Sequence, residues 1–312
     1  MRSLAKIPKW IVGRVAVGVR AMFPYWLRKR LVVVQYWMTA LWNRRVSPGF
    51  ARRIKRYDAE TMPEASIVLI TCNRLRMLRE CLGSLLEHTK GDRHEVIVWN
   101  NGSTDGTKEY LDELAASHPE VRVVHHPENV GLNGVALGVE MARGYYIVEL
   151  DDDVVRFPDD WLPKMLTAFK QVPQVGYLAA NVVQDELTNG GKDSPESYQA
   201  VDYDGVVLEH GPTWGWCTMT SLDVLNRIGN FARRRGQQWY QEDLDYVRRC
   251  LRAGYTPAIV RDVVVYHATG PAINDQYGYL QLCLKKYEDT PYAPHHVQAA
   301  KAYVEKRGST KE

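Results

Sequence analysis

The first 57 residues contain no aspartate or glutamate, yet 14 of the chain's 40 lysines and arginines fall there. The other 26 are outnumbered by 37 acids, so a net charge of +3 hides a basic arm on an acidic body. An acidic body argues against nucleic acid as a partner and leaves an anionic membrane as the natural partner of the arm. Cysteine is scarce: Cys72, Cys81, Cys217, Cys250 and Cys283 are odd in number and form no CxxC pair. That excludes a disulfide or zinc framework and reads as reduced core cysteine in an intracellular protein. Long hydrophobic runs are also missing. The longest uncharged run in the arm, Leu31–Trp42, would make a helix of roughly 18 Å against a bilayer core of about 30 Å. It is too short to span. Arg14 interrupts the N-terminal apolar stretch and no small-residue cleavage site follows, so a secretory signal is not expected. The lack of acids is also compatible, on composition, with an organellar transit peptide. No internal repeat or low-complexity tract is present.

What the arm does have is aromatic and basic. Leu4, Ile7, Ile11, Val15 and Met22 share one helical face, with Arg2, Lys6, Lys9 and Arg20 opposite. Pro8 falls in the first turns and Pro24 separates a second segment, Tyr25–Asn43. Trp10, Trp26, Trp37 and Trp42 are of the type that seeks the headgroup region. The arm, residues 1–60, therefore reads as amphipathic helices on an anionic surface, on the cytoplasmic face of a membrane. A helical subdomain packed on the body, or an oligomer contact, is the competing reading. Ser47-Pro48-Gly49 and the run Arg52–Arg56 look like a linker.

From Ser66 the pattern alternates. Strands are predicted at Ser66–Thr71, Glu95–Trp99, Val121–His125, from Tyr145, at Gly176–Val183 and at Ala258–His267. Helices are predicted at Arg74–His88, Lys108–Ser117, Asn133–Ala142, Asp159–Gln171, Leu222–Arg227 and Glu242–Ala253. Alternation of this kind means an α/β domain with a mostly parallel sheet flanked by helices and right-handed crossovers. Residues 184–213 read as a polar, mobile loop, and Trp214–Cys217 opens a new element. A tail from 270 to 312 includes a helix predicted near Val297–Lys306.

The strand Tyr145–Leu150 ends abruptly in Asp151, Asp152 and Asp153. Three adjacent acids repel one another unless a cation or hydrogen-bond donors neutralise them. Strand ends in open α/β sheets are where ligands bind. A hard divalent cation and a phosphorylated ligand would meet there. A solvated acidic turn is the bland alternative.

Other motifs join this one in order. Thr71-Cys72-Asn73-Arg74 ends the first strand, VIVWNNGSTDGT follows the second, Asn129-Val130-Gly131 precedes a helix, and Gln241-Glu242-Asp243-Leu244-Asp245 opens another. With the aspartate triplet, these resemble the motifs of family 2 glycosyltransferases of the GT-A fold from about Ser66 to His267, which implies a GT-A domain over residues 61–269. The resemblance implies a nucleotide-sugar donor, probed by Thr71, Asn73, Arg74, Asn100, Asn101, Asp151 and Asp152. It implies a Mg²⁺ or Mn²⁺ ion on Asp153 and Asp151, with His267 a further ligand or a structural histidine. Asn100 departs from the family, which often carries an acid there; asparagine can pair with a base edge but supplies no carboxylate. The metal would neutralise the leaving diphosphate. An acid opposite must take the acceptor proton, and this favours inversion. Asp243 is the first candidate and Glu242 the second, helix capping being the alternative for both. Trp214 and Trp216 could stack on an acceptor sugar or pack in the core.

The expected function is transfer from a nucleotide sugar, UDP-linked by preference, to a lipid-linked or cell-envelope glycan. A nucleotidyltransferase would carry a glycine-rich loop after the first strand, and TCNRLRM has no glycine. A non-catalytic membrane or nucleic-acid binder would leave the ordered carboxylates unexplained.

Overall fold

The computed structural model describes residues 49–188, 190–234, 238, 241–289 and 301–305. The chain divides into two units, Met1–Val46 and Ser47–Glu312, and all described residues belong to the second. The predicted helices of residues 1–45 lie outside them.

Ten strands build the centre: β1 (Ala65–Thr71), β2 (His94–Asn101), β3 (Val121–His126), β4 (Tyr146–Asp151), β5 (Val154–Arg156), β6 (Val175–Val182), β7 (Gln199–Tyr203), β8 (Val206–His210), β9 (Cys217–Ser221) and β10 (Thr256–His267). Their order is β3-β2-β1-β4-β9-β6-β10-β8-β7, with β5 beside β10. The helices are α1 (Phe50–Arg56), α2 (Leu75–Glu87), α3 (Thr107–Ser117), α4 (Asn133–Met141), α5 (Trp161–Gln171), α6 (Leu222–Ile228), α7 (Glu242–Arg252), α8 (Pro271–Gln276) and α9 (Leu280–Asp289). Strands β1 to β4 pair in parallel. Apolar β-branched runs make β1, β2 and β4 strands buried on both faces, as crossover helices require, while β3 at the sheet edge is half-exposed. On α2, Met77, Leu78, Cys81, Leu82, Leu85 and Leu86 form the buried stripe expected of a helix packed on a sheet.

Two departures from the sequence pattern matter. Strand β9 runs antiparallel between β4 and β6. The stretch expected as a loop, 184–213, contains a hairpin of β7 and β8 that extends the sheet past β10. Its turn is Asp204-Gly205, both at positive φ (50° and 89°), the conformation that matches the twist of a two-residue hairpin. In the tail, α8 and α9 form, and residues 301–305 are helical. Among the described residues no helix is long and apolar enough to cross a membrane.

Helix α1 belongs to the body. Phe50 is buried, and Arg53 donates to the carbonyls of Val139 (2.9 Å) and Ala142 (2.6 Å) at the C-terminal end of α4. Burial lowers the Arg53 pKa to about 10 against the pull of Glu95 and Glu140. At the N-terminal edge of the sheet, the buried Glu95 accepts from Ser66 Oγ (2.6 Å), Arg143 N (2.6 Å), Arg143 Nε (2.9 Å) and Arg122 Nη1 (2.8 Å). Burial opposes its charge, but these donors outweigh it and hold the carboxyl below its usual range.

Candidate active site

Strands β1, β2 and β4 all end on the opposite edge, and β10 runs parallel to them. Strand β9, running the other way, begins there, and Asp151 N donates to Trp216 O at 2.9 Å. The sheet therefore delivers Thr71, Asn100, Asp151, Trp216 and His267 to one rim from distant parts of the chain.

The three adjacent acids are divided between partners. Asp152 accepts from Thr71 Oγ1 at 2.7 Å and from Arg74 Nη1 at 2.6 Å. Asp153 takes the other arm of the same guanidinium, Nη2, at 2.7 Å. His267 Nε2 lies 3.2 Å from Asp153 Oδ1 and 3.8 Å from Asp151 Oδ2. Burial disfavours the charge on Arg74, yet the carboxylates of Asp152, Asp153 and Asp151 push its pKa up. The same contest raises His267: burial works against the cation, and Asp153 and Asp151 prevail. The His267 ring is fixed from behind, where Nδ1 lies 2.7 Å from Gly190 O.

Asp151, Asp153 and His267 each offer one ligand atom, all within 4.8 Å of one another. Two carboxylate oxygens and an imidazole nitrogen, with the other ring nitrogen turned to a backbone carbonyl, suit a divalent cation. The side chain of Asp151 is 44% exposed and that of Asp153 9%, so the cluster opens toward solvent on the Asp151 side.

The motif asparagines shape the loops beside this cluster. Asn73, at φ 54°, accepts from Thr104 N at 2.7 Å. Asn100 Oδ1 accepts from Ser103 N (3.0 Å), and its Nδ2 lies 3.1 Å from His125 Nδ1. Asn101 accepts from Trp99 Nε1 (3.1 Å) and Val130 N (3.3 Å) and donates to Gly131 O (3.1 Å). Asp105 accepts from the first amide of α2, Leu75 N, at 3.0 Å. Gly131, at φ 59°, is needed: a Cβ there would sit 2.2 Å from Gln238 O. Trp216 is 2% exposed and its Nε1 donates to Ala180 O at 2.8 Å, whereas Trp214 is half-buried against the core.

Glu242 and Asp243 open α7 on the same side. Asp243 Oδ1 accepts from Leu244 N at 2.6 Å and Oδ2 from Gly215 N at 3.3 Å. Glu242 is 8% exposed, and its Oε2 has no hydrogen-bond partner among the described residues. Burial first, then Asp243 and Glu149, push the Glu242 carboxyl well above its usual range. Glu149, which sequence reasoning passed over, sits inside the apolar run of β4. It accepts from Tyr177 Oη at 2.7 Å and Thr218 Oγ1 at 3.4 Å, and burial raises it as well. An acid two residues before Asp151, on the same strand face, is the one signal that could have found it.

Comparison with known proteins agrees with this geometry. The profile described as glycosyl transferase family 2 matches residues 66–229, just over half of the chain. Among curated relatives, the chondroitin synthase of Pasteurella multocida (strain Pm70) is 35% identical over 98 residues, 31% of this chain and 10% of that protein. Glycosyltransferase AglE of Haloferax volcanii is 22% identical over 215 residues, 68% of this chain and 69% of that protein. The chain thus spans about a tenth of the length of the first relatives it matches. Among solved structures, the mannosyltransferase PcManGT from Pyrobaculum calidifontis, in complex with GDP-Man and Mn²⁺, superposes with a TM-score of 0.50 at 17% identity. That likeness covers 89% of this chain and 85% of that one. GalNAc-T7 with UDP, GalNAc and Mn²⁺ gives 0.51 at 13% identity, covering 74% of this chain and 50% of that one. The fold is thereby GT-A, and the chain belongs to glycosyl transferase family 2.

Proposed function

We propose that this protein is a metal-dependent, inverting glycosyltransferase that moves a sugar from a nucleotide sugar to a hydroxyl of a glycan acceptor. The observation that carries the reading is the meeting of Asp151, Asp153 and His267 at the strand-end rim with Glu242 and Asp243 on the same side. A divalent cation held by these three ligands, Mg²⁺ or Mn²⁺, would stabilise the charge of the departing nucleoside diphosphate. The Mn²⁺ of the two solved neighbours supports such an ion, and their UDP and GDP-Man support a nucleotide-sugar donor.

Arg74 holds Asp153 in place by a fork whose second arm is anchored on Asp152. Asp152 is thus the support and Asp151 and Asp153 the ligands. Asp243 is the general base. Backbone amides face both its oxygens, and the N-terminus of α7 favours negative charge there. Glu242 has no donor at Oε2 and is driven toward its neutral form, which suits a group that donates to a sugar oxygen. Of the two tryptophans, Trp214 is the one not fully buried and so the one that could stack on an acceptor.

Calorimetry with UDP tests the reading, with GDP and dTDP in parallel. Binding should require Mn²⁺ or Mg²⁺ and vanish in Asp153→Ala. Equal affinity in EDTA would remove the metal site from the mechanism.

A further inference from the structure

Away from the metal cluster, a cavity of about 220 Å³ lies where the hairpin meets β10, lined by Gln184, Lys192, Pro195, Tyr198, Glu209 and Arg261, with Ala200 beside them. It is smaller than the ~300–1,000 Å³ of pockets for drug-sized ligands, and on the scale of a single sugar ring. We propose that this cavity binds an anionic sugar unit of the acceptor, a hexuronate whose carboxylate meets Lys192 and Arg261. The inference rests on the glycosyl-transfer reading.

The cavity is built by specific interactions. Between Val260 and Val264 the register of β10 against β6 shifts: Val260 pairs with Ala180, and Val264 with the next residue, Asn181. The intervening residues bulge, and Arg261 lies on that bulge; bulges re-aim side chains. Asn181 fixes the bulge by donating to the Arg261 backbone carbonyl at 3.0 Å and accepts from Lys192 Nζ at 2.8 Å. Glu209 bonds both cations, Lys192 at 2.5 Å and Arg261 Nε at 3.0 Å. Burial opposes the Glu209 charge, but the two cations outweigh it and keep the carboxyl below its usual range. Two cations therefore share one carboxylate, and the lining residues carry one net positive charge.

The Lys192 side chain is only 10% exposed. Its ammonium already meets Glu209 and Asn181, so an incoming carboxylate would share Lys192 and Arg261 with Glu209 and balance the surplus positive charge. Tyr198, Pro195 and Ala200 add aromatic and apolar surface to the lining, and the Lys192 ammonium stands over the Tyr198 ring, 5.1 Å from its centroid. Cationic groups beside aromatic and apolar surface are the chemistry of a sugar ring with a carboxylate.

The place also fits. Lys192 directly follows Gly191, where a Cβ would lie 3.7 Å from His267 Nδ1, so the loop joins the cavity to the metal cluster. Gln184 of the lining follows the end of β6 by two residues, whereas Arg261 stands on the bulge within β10.

Ligand-observed NMR on the full-length protein, in EDTA and without nucleotide, tests the assignment with glucuronate, its neutral methyl ester, glucose and inorganic phosphate. Glucuronate should bind, with glucose and the ester about ten-fold weaker or worse. Lys192→Met and Arg261→Gln should abolish the preference for the acid. Ala200→Trp, which fills the cavity from an exposed position and leaves the charges intact, should abolish binding altogether. Equal binding of glucuronate and glucose, no binding of glucuronate, or indifference to Ala200→Trp would overturn the proposal. Phosphate competing as well as glucuronate would overturn it too, reducing the cavity to a simple anion site. These titrations stand or fall separately from the UDP calorimetry, which reads the transferase proposal alone.

Discussion

Neighbouring side chains of the same type do different work here. Of Asp151, Asp152 and Asp153, the middle one is tied to Thr71 and Arg74 while the outer two face His267. Glu242 and Asp243 divide similarly, since backbone amides face both oxygens of the second while Oε2 of the first has no partner among the described residues. Changing Asp243 to Asn keeps its shape and removes its basicity. Turnover should fall by about 10²–10⁴ while UDP affinity is retained, and Glu242→Gln should cost less. A transfer assay with NMR assignment of the product anomer checks this; retained configuration, or near-normal turnover in Asp243→Asn, ends that role. Glu95 offers a pH test far from the site. Its folded carboxyl lies below the unfolded value of 4.5, so its stabilisation is complete above that pH and is lost as pH falls through the lower folded value. Urea melts should show wild type losing its advantage over Glu95→Gln as pH drops below about 4.5. An advantage independent of pH would mean Glu95 acts by packing alone.

Among the elements, α1 decides where the body starts. A domain trimmed at residue 61 would lose Phe50 and leave the Val139 and Ala142 carbonyls without Arg53. Phe50→Ala should cost about 3 kcal/mol and Arg53→Ala about 1–3 kcal/mol in chemical denaturation. A fragment from Ser47 should melt like the full chain, and one from Ala65 well below it. Equal melting of the two fragments would show that α1 is dispensable. The elements also mark what the sequence could reveal. The βα repeats from Ser66 to Leu150 were legible because β1, β2 and β4 are apolar runs and α2 carries an apolar stripe. The hairpin was not, because Gln199–Tyr203 and Val206–His210 are half-exposed and polar. Its one clear signal was Asp204-Gly205. Strand β9, Cys-Thr-Met-Thr-Ser, is wholly buried yet rich in hydroxyls, so hydropathy hid it. In the site, the charged motif residues were legible by type. Glu149 was hidden by the apolar run around it, and the lysine–arginine pair by residues that only the bulge brings together.

For the whole molecule, charge asymmetry sets the outstanding question. The exposed face of α1 continues the basic run with Arg52, Lys55 and Arg56. If the arm serves a membrane surface, the full chain should bind anionic vesicles at about 1 kcal/mol per engaged lysine or arginine, and lose affinity with salt. The fragment from Ser47 should bind far less. Salt-independent binding, or none, would assign the arm to packing or assembly.

The antiparallel strand between β4 and β6 imposes an order in time. As the chain leaves the ribosome, β1 to β4 can assemble with their helices from contacts close in sequence. The far side of β4 then stays open, because its partner Cys217–Ser221 comes only after the hairpin has been made. During that interval an apolar strand ending in Asp151, which has yet to meet His267, is an unprotected sheet edge. His267 arrives later still, at the end of the last strand. The half of the protein that resembles a nucleotide-binding domain can therefore be complete while the cluster of Asp151, Asp153 and His267 does not yet exist, and no premature fragment can carry it.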